Sequence, residues 1–507
     1  MTILIKNIQL IDGTGQPPVK ADILVKNNKI SALGSFPNYR ADEIIDGVGA
    51  YLSPGFIDID TDSDHYLTLF DNSSQKDFLL QGVTTIIGGH CGASLAPLLY
   101  GSLESIREWT DINKINVNWH SLGEFFKVLE KKKIGVNFGT LVGHTTIRES
   151  LVGPSRSGRT KRDLSKNELK ILNFILERSL KEGALGFSSG LGYLQARETS
   201  YNELKTLVST TARYKGVYAT HLRDEKENLI SSVKETLKIA EETGAETLIS
   251  HFRPLIGYEE DYDKALELLK SSQKNGIYFD IYPFSESIVL LQSFLPLWAQ
   301  KEGKNSILKD IQSNAIRSKI IKELPALKGN NFTIISAPGN EYLVGKSLKQ
   351  FSKNANTTIK KGLLSLMELT KFRAAVSYRN INFDKVLEFL KHDKAIIASN
   401  SASFKEERGL KKTIRPERSY CTFTKFLELA EKNKILPLEK AVYKITGLPA
   451  KFMKLNGRGI IREGYLADLV IFKDSQIREV ILNGHRVVKD GEYNNELAGK
   501  ILKRSDL

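Results

Sequence analysis

Seven short apolar runs recur through the middle of the chain, each closed at its C-terminal end by a small or polar residue. They are "TTIIGG" (84–89), "GVNFGTLVG" (135–143), "ALGFSS" (184–189), "GVYATH" (216–221), "ETLISH" (246–251), "GIYFDIYP" (276–283) and "AIIASN" (395–400). Runs apolar on both faces are what buried parallel strands require. The segments "SKNELKILNFILERSLKEG" (165–183) and "ENLISSVKETLKIAEETG" (227–244) carry apolar residues three and four apart and stop at glycine, as amphipathic helices do. Strand and helix units repeated this often predict an α/β fold, a (β/α)8 TIM-like barrel.

The two ends of the chain have a different texture. Residues 1–50 and 458–493 alternate with period two between glycine-containing turns, the pattern of short antiparallel strands. The expected organisation is therefore a small β-sandwich domain made jointly from 1–52 and 455–507, with the barrel at 53–454. Residues 285–375 break the strand and helix alternation, starting with "SESIVLLQSFLPLWAQ". They are expected as an insertion over the barrel mouth, and a lid is the favoured role because the segment leaves just after a strand end.

Barrel enzymes carry their reactive groups at the C-terminal ends of the strands. Here those ends hold Asp60, Asp62, Cys91, His221, His251, Asp280 and Asn400. His221 and His251 lie one strand-helix-strand repeat apart, so they should top adjacent strands. Two such imidazoles with a cysteine at a third strand end form a borderline-soft set suited to Zn²⁺, with a position left for water. The competing reading of Cys91 is a buried thiol that only packs. His90 is expected to point away from Cys91, because neighbours on an extended chain alternate sides.

"GFIDIDTDSDHYL" (55–67) poses a charge problem: Asp58, Asp60, Asp62 and Asp64 would crowd one face of an extended strand. A cation, water or a substrate must offset them. Asp60 and Asp62 could serve as a base beside an activated water or as hard oxygen ligands, and Asp58 as a brace of the strand end.

Composition bounds the other classes. The net charge of +14 is dispersed over runs such as "KKKIG" and "RGLKK" without interleaved aromatics, which favours a solvated surface over nucleic-acid binding. Two cysteines are too few for a disulfide framework. No signal peptide or membrane span is read, so a cytoplasmic protein acting on a small molecule, with no nucleic-acid or membrane partner, is expected.

A set of motifs distributed over nearly the whole chain carries a resemblance. "LSPGFIDIDTDSDHYL", "GGHCGASLAP", "LVGHTTIRES", "GALGFSSGLGY", "GVYATHLRDE", "LISHFRP", "DIYPF", "ITGLPAKFMKLNGRGIIREGYLADLVIF" and "ILNGHRVVKDGEY" together resemble the N-acyl-D-amino-acid deacylases of the amidohydrolase superfamily. The resemblance implies a TIM barrel with a β-sandwich built from both termini, and zinc on Cys91, His221 and His251. It implies that Arg253, Tyr282 and Arg418 grip the substrate carboxylate, a task for which guanidinium groups are well suited.

Two departures from the family pattern fall on the barrel mouth. The family follows "GFID" with a His-x-His pair that reaches a second metal position, where this chain has Asp60 and Asp62. The family's general base is an Asp after a late strand, where this chain has Asn400, whose amide orients water but cannot deprotonate it. The expected activity is a metal-dependent hydrolysis of N-acyl-D-amino acids or related N-acyl carboxylates, with Asp60 or Asp62 replacing the base. The alternative is an impaired relative that binds zinc and an acylated ligand. His144 is expected to hold a loop rather than touch substrate, Asp280 to support Tyr282 or the metal shell through hydrogen bonds, and His65, His120, His392 and His485 receive no role.

Overall fold

The computed structural model describes residues 1–507 apart from 100–102, 107–108, 111, 153–161, 273–275, 301–303, 406–412 and 505–507. The "RGLKK" run lies outside the described residues.

Eight parallel strands form one sheet in sequence order: β1 Phe56–Asp58, β2 Val83–Gly88, β3 Asn137–Gly143, β4 Gly186–Gly190, β5 Val217–His221, β6 Glu246–Ile249, β7 Ile277–Ile281 and β8 Ala395–Ile397. A parallel bridge between Thr61 and Ser401, just past β1 and β8, brings the two edges together. All seven apolar runs are strands, and "GFID" supplies the eighth. Inward-facing Ile57, Ile87, Leu141, Ala219, Leu248 and Ile396 pack in one cluster with Phe452 and Met453 of the helix Gly447–Met453. The barrel is thus filled with side chains, and its chemistry is confined to the strand ends.

The helices around it obey their sequence signals. Ser165 caps Lys166–Lys181 in a capping box with Glu168, and Gly244 ends Leu229–Thr243 in the left-handed conformation that glycine tolerates. The chain termini meet in a nine-stranded sheet, in which Leu469–Lys473 pairs antiparallel with Tyr51–Pro54 and Thr2–Leu10 pairs with Val19–Lys26. Ile5, Val25, Leu52, Leu469 and Ile481 form its apolar core.

Between β7 and β8 the chain builds a separate three-stranded antiparallel sheet from Ser287–Leu290, Phe332–Ser336 and Ala375–Tyr378. It has its own core, including Leu291, Ile334, Leu363, Met367 and Val376. A cavity of about 270 Å³ separates this unit from the segment preceding the helix Arg418–Glu431, and its lining runs from Phe284 and Ile335 to Arg418.

One expectation fails locally. The extended conformation of "GFIDIDTDSDHYL" ends at Asp58 and residues 63–67 form turns, so the four acids do not share a face. Asp58 accepts the Ser399 and Asp60 amides at 3.1 and 3.3 Å, and Asp64 accepts the Gly89 amide at 2.6 Å. Backbone donors thus disperse charges that a straight strand would have crowded.

Candidate metal and substrate site

Cys91 follows β2, His221 ends β5 and His251 follows β6. Gly89 (φ +78°) turns the chain ahead of Cys91, and a Cβ there would meet the Leu141 carbonyl oxygen at 2.1 Å, so the turn requires glycine. Cys91 (φ +52°), His251 (φ +39°) and Asn400 (φ +46°) all hold left-handed backbone. That conformation costs about 1–3 kcal/mol for a side chain other than glycine and clusters at functional sites.

The three donors converge. Cys91 Sγ lies 3.3 Å from His251 Nε2 and 4.0 Å from His221 Nδ1, and the two ring nitrogens are 3.0 Å apart. An ion bound tetrahedrally at ordinary Zn–N and Zn–S lengths separates its donors by about 3.3 Å (N to N) and about 3.6 Å (S to N). All three residues are buried. Burial drives the His221 imidazole down to about 3, so it is neutral and ready to ligate. Burial, then Asp60 and Asp62, push the Cys91 thiol well above its usual value, so a thiolate there calls for a cation. This donor set and spacing fit a zinc ion.

Behind the donors stands Glu225, which sequence reading missed. Its carboxylate lies 3.4 Å from His251 Nδ1 and 3.8 Å from His221 Nε2, and accepts from Arg253 at 3.2 Å. It therefore faces the ring nitrogen opposite each converging one, the usual way a carboxylate fixes ligand tautomers. Burial opposes its ionisation, but the Arg253 guanidinium and the two imidazoles hold it well below the usual carboxylate range. Its only sequence signal was its place four residues after His221 in "HLRDE". Asp280 holds the His251 backbone, accepting its amide at 2.7 Å, as expected of a supporting residue.

Arg253, Tyr282 and Arg418 come together. Arg253 donates to the Tyr282 hydroxyl at 3.1 Å, and the Arg418 guanidinium lies 5.0 Å over the Tyr282 ring. The Nε–H groups of both arginines are buried without a hydrogen-bond partner. Two such unanswered donors invite an anion.

Across the mouth, Asp62 accepts from His65 Nδ1 at 3.1 Å, and its side chain is 15% exposed. Burial pushes its carboxyl up, but the hydrogen bond from His65 and the charges of His65, Arg418 and His251 bring it below the usual value. Asp60 is fully buried and faces His90, with Oδ1 3.6 Å from Nδ1. Asn400 uses its oxygen to accept from Arg418 at 2.9 Å. Tyr193 packs on the His221 ring at 4.7 Å, with Trp109 and Tyr66 beyond it, an aromatic wall that sequence reading also missed. His144, just past β3, contacts Glu203 of the helix Tyr201–Arg213 at 2.7 Å.

At the strand ends of a parallel barrel, a cysteine and two histidines thus converge closely enough to hold one metal ion. An amidohydrolase family profile matches residues 413–488. The D-aminoacylase of Alcaligenes xylosoxydans xylosoxydans is 27% identical over 99% of this chain and 98% of its own length. The N-acyl-D-aspartate deacylase of the same organism is 26% identical over 99% and 95%. A solved D-aminoacylase with a binuclear metal centre, described by one-metal activation and second-metal attenuation, superposes with a TM-score of 0.79 at 25% identity, covering 99% of each chain. The chain is thus similar over nearly its whole length to the D-aminoacylases.

Proposed function

We propose that this protein is a zinc-dependent deacylase that hydrolyses the amide bond of N-acyl-D-amino acids. Its main support is the convergence of Cys91, His221 and His251 beside two buried guanidinium groups that share Tyr282. In this reading Cys91, His221 and His251 hold the zinc, which supplies a Lewis acid that acidifies water and polarises the scissile carbonyl.

The rest falls to the chain. Arg253 and Arg418 bind the substrate α-carboxylate through their free Nε–H donors, and the Tyr282 hydroxyl orients it. This fixes the amide beside the metal donors, with the acyl chain against Tyr66, Trp109 and Tyr193. Asp62 is the base: one oxygen is held by His65, and the partly open carboxylate is ionised at neutral pH. It takes the proton of the attacking water and returns it to the amide nitrogen as the carbon–nitrogen bond breaks. Asn400 orients water or substrate without exchanging a proton. Asp60, sealed behind Cys91 and facing His90, has no path to substrate and tunes the field at the sulfur instead.

The test is a panel of N-acetyl-D- and N-acetyl-L-amino acids offered to purified protein of measured zinc content. Release of free D-amino acid is expected. One equivalent of zinc without release from either series would overturn the assignment.

A further inference from the structure

Arg418 belongs to two places at once. It stacks on Tyr282 in the carboxylate grip, and it lines the cavity of about 270 Å³ between the three-stranded sheet and the segment ahead of the helix Arg418–Glu431. Phe284, whose ring centre lies 6.4 Å from that of Tyr282, lines the same cavity. The cavity therefore adjoins the grip, and the buried, unpartnered Nε–H of Arg418 stands at the junction.

The lining divides by chemistry. Ile288, Ile335 and Ile414 give apolar wall, and Glu286 gives a half-buried carboxylate. One Glu286 oxygen accepts from the Ser377 hydroxyl at 2.5 Å, across the pairing of Ser287–Leu290 with Ala375–Tyr378, so the sheet fixes the acid in place. It has no basic partner among the described residues. The two arginines of the lining are engaged elsewhere. Arg415 donates to buried Asp77 at 2.9 Å and lies 5.0 Å over the Tyr420 ring, while Arg418 donates to Asn400 at 2.9 Å. Lys425 sits 4.1 Å over the Phe284 ring, outside the lining. Glu417 adds a second acid at the exposed rim.

We propose that this cavity receives the side chain of the D-amino acid and that Glu286 selects basic side chains, as in N-acyl-D-lysine and N-acyl-D-arginine, over acidic ones. An aliphatic stem lies along the isoleucines while its cationic end meets a carboxylate that has no counter-charge of its own. An acidic side chain would instead bring another anion beside Glu286 and Glu417, with both lining arginines already committed. The inference rests on the deacylase reading above, in which Arg418 holds the α-carboxylate.

The experiment measures affinity apart from turnover. N-methanesulfonyl derivatives of D-lysine, D-norleucine and D-glutamate keep the carboxylate and side chain but offer no acyl carbon to attack, and each is titrated calorimetrically into zinc-loaded full-length protein. The lysine derivative should bind about 10- to 100-fold more tightly than the norleucine one, which lacks only the terminal ammonium, and the glutamate derivative should bind most weakly. Glu286→Gln, which keeps an acceptor for Ser377, should bring the first two within about threefold of each other, and Glu286→Lys should place glutamate above lysine. Equal binding of the lysine and norleucine derivatives by the wild-type protein overturns the inference, as does a lysine preference that survives in Glu286→Gln or Glu286→Lys. A lysine preference in binding, without release of D-amino acid from any N-acetyl substrate, would leave this inference standing and sink the proposed deacylation. Deacylation across the D-series with no such preference would do the reverse.

Discussion

On the side of the barrel mouth built by β2, β5 and β6, a sulfur and two ring nitrogens face one another across 3.0 to 4.0 Å, with no cation of the described residues between them. On the side built by β1 and β8, Asp62 has His65 and Asn400 has Arg418. Both sides consist of polar residues at strand ends, so by position alone they look alike. They differ in whether the fold has already answered them. Donors left to face each other need an ion from outside, while answered ones are free to bind, orient and exchange protons.

The largest break in that contrast comes from the open side. Cys91→Ala should remove zinc and lower kcat/KM by about 10⁴-fold or more, since the loss of metal polarisation and of an acidified water is worth several kcal/mol. Metal content measured alongside the rate distinguishes this from misfolding. On the answered side, Asp62→Asn should keep one zinc and lower kcat by about 10²- to 10³-fold with little change in KM, the usual range for a positioned base. A loss of zinc in Asp62→Asn would instead place Asp62 among the ligands and erase the contrast.

Arg418→Ala tests the substrate grip and should be milder. A charge-assisted hydrogen bond is worth about 1.5–3 kcal/mol, so KM should rise about 10- to 100-fold. The effect should vanish when the free carboxylate is replaced by an amide, and persistence with the amide substrate would point to a structural role.

The barrel was legible because its strands are apolar on both faces and close on small residues, and every such run became a strand. Cys91, His221 and His251 were legible for the same reason: strand-end position fixes their depth and direction. The answering partners were not. Glu225 sits in the loop after β5, His65 in a turn that a continued strand would not have made, and Tyr193 in a glycine-rich loop whose Gly192 lets backbone approach the His221 ring, where a Cβ would lie 2.5 Å from Nε2. Loop geometry sets these contacts, and no periodicity reports it.

His65 offers a pH test of the answered side. Burial opposes its protonation, but Asp64 and Asp62 overcome it and raise the ring from 6.5 to about 10. Because the folded-state value is above the unfolded one, the stabilisation is fully present below pH 6.5 and fades as pH rises through about 10. In urea melts, wild-type protein should lose stability between pH 7 and 10 more steeply than His65→Gln. The raised Asp58, pushed up to about 8 chiefly by burial, gives both proteins a common slope of the same sign that cancels in the difference. Parallel slopes would mean that His65 is neutral and that Asp62 lacks its cation.

The smallest expected effect is at Asn400. If base function had merely been lost there, Asn400→Asp would restore it and raise kcat by 10² or more. The geometry argues otherwise: a carboxylate at 400 would stand where Arg418 already donates at 2.9 Å and would form an ion pair with it. That pair would draw the guanidinium from the substrate while Asp62 goes on serving as base. Asn400→Asp should therefore change kcat by less than about tenfold and raise KM, because a base engaged by a guanidinium gains little over one already at work. A gain of 10² in kcat with KM unchanged would return the base to β8 and reduce Asp62 to a buried counter-ion of His65.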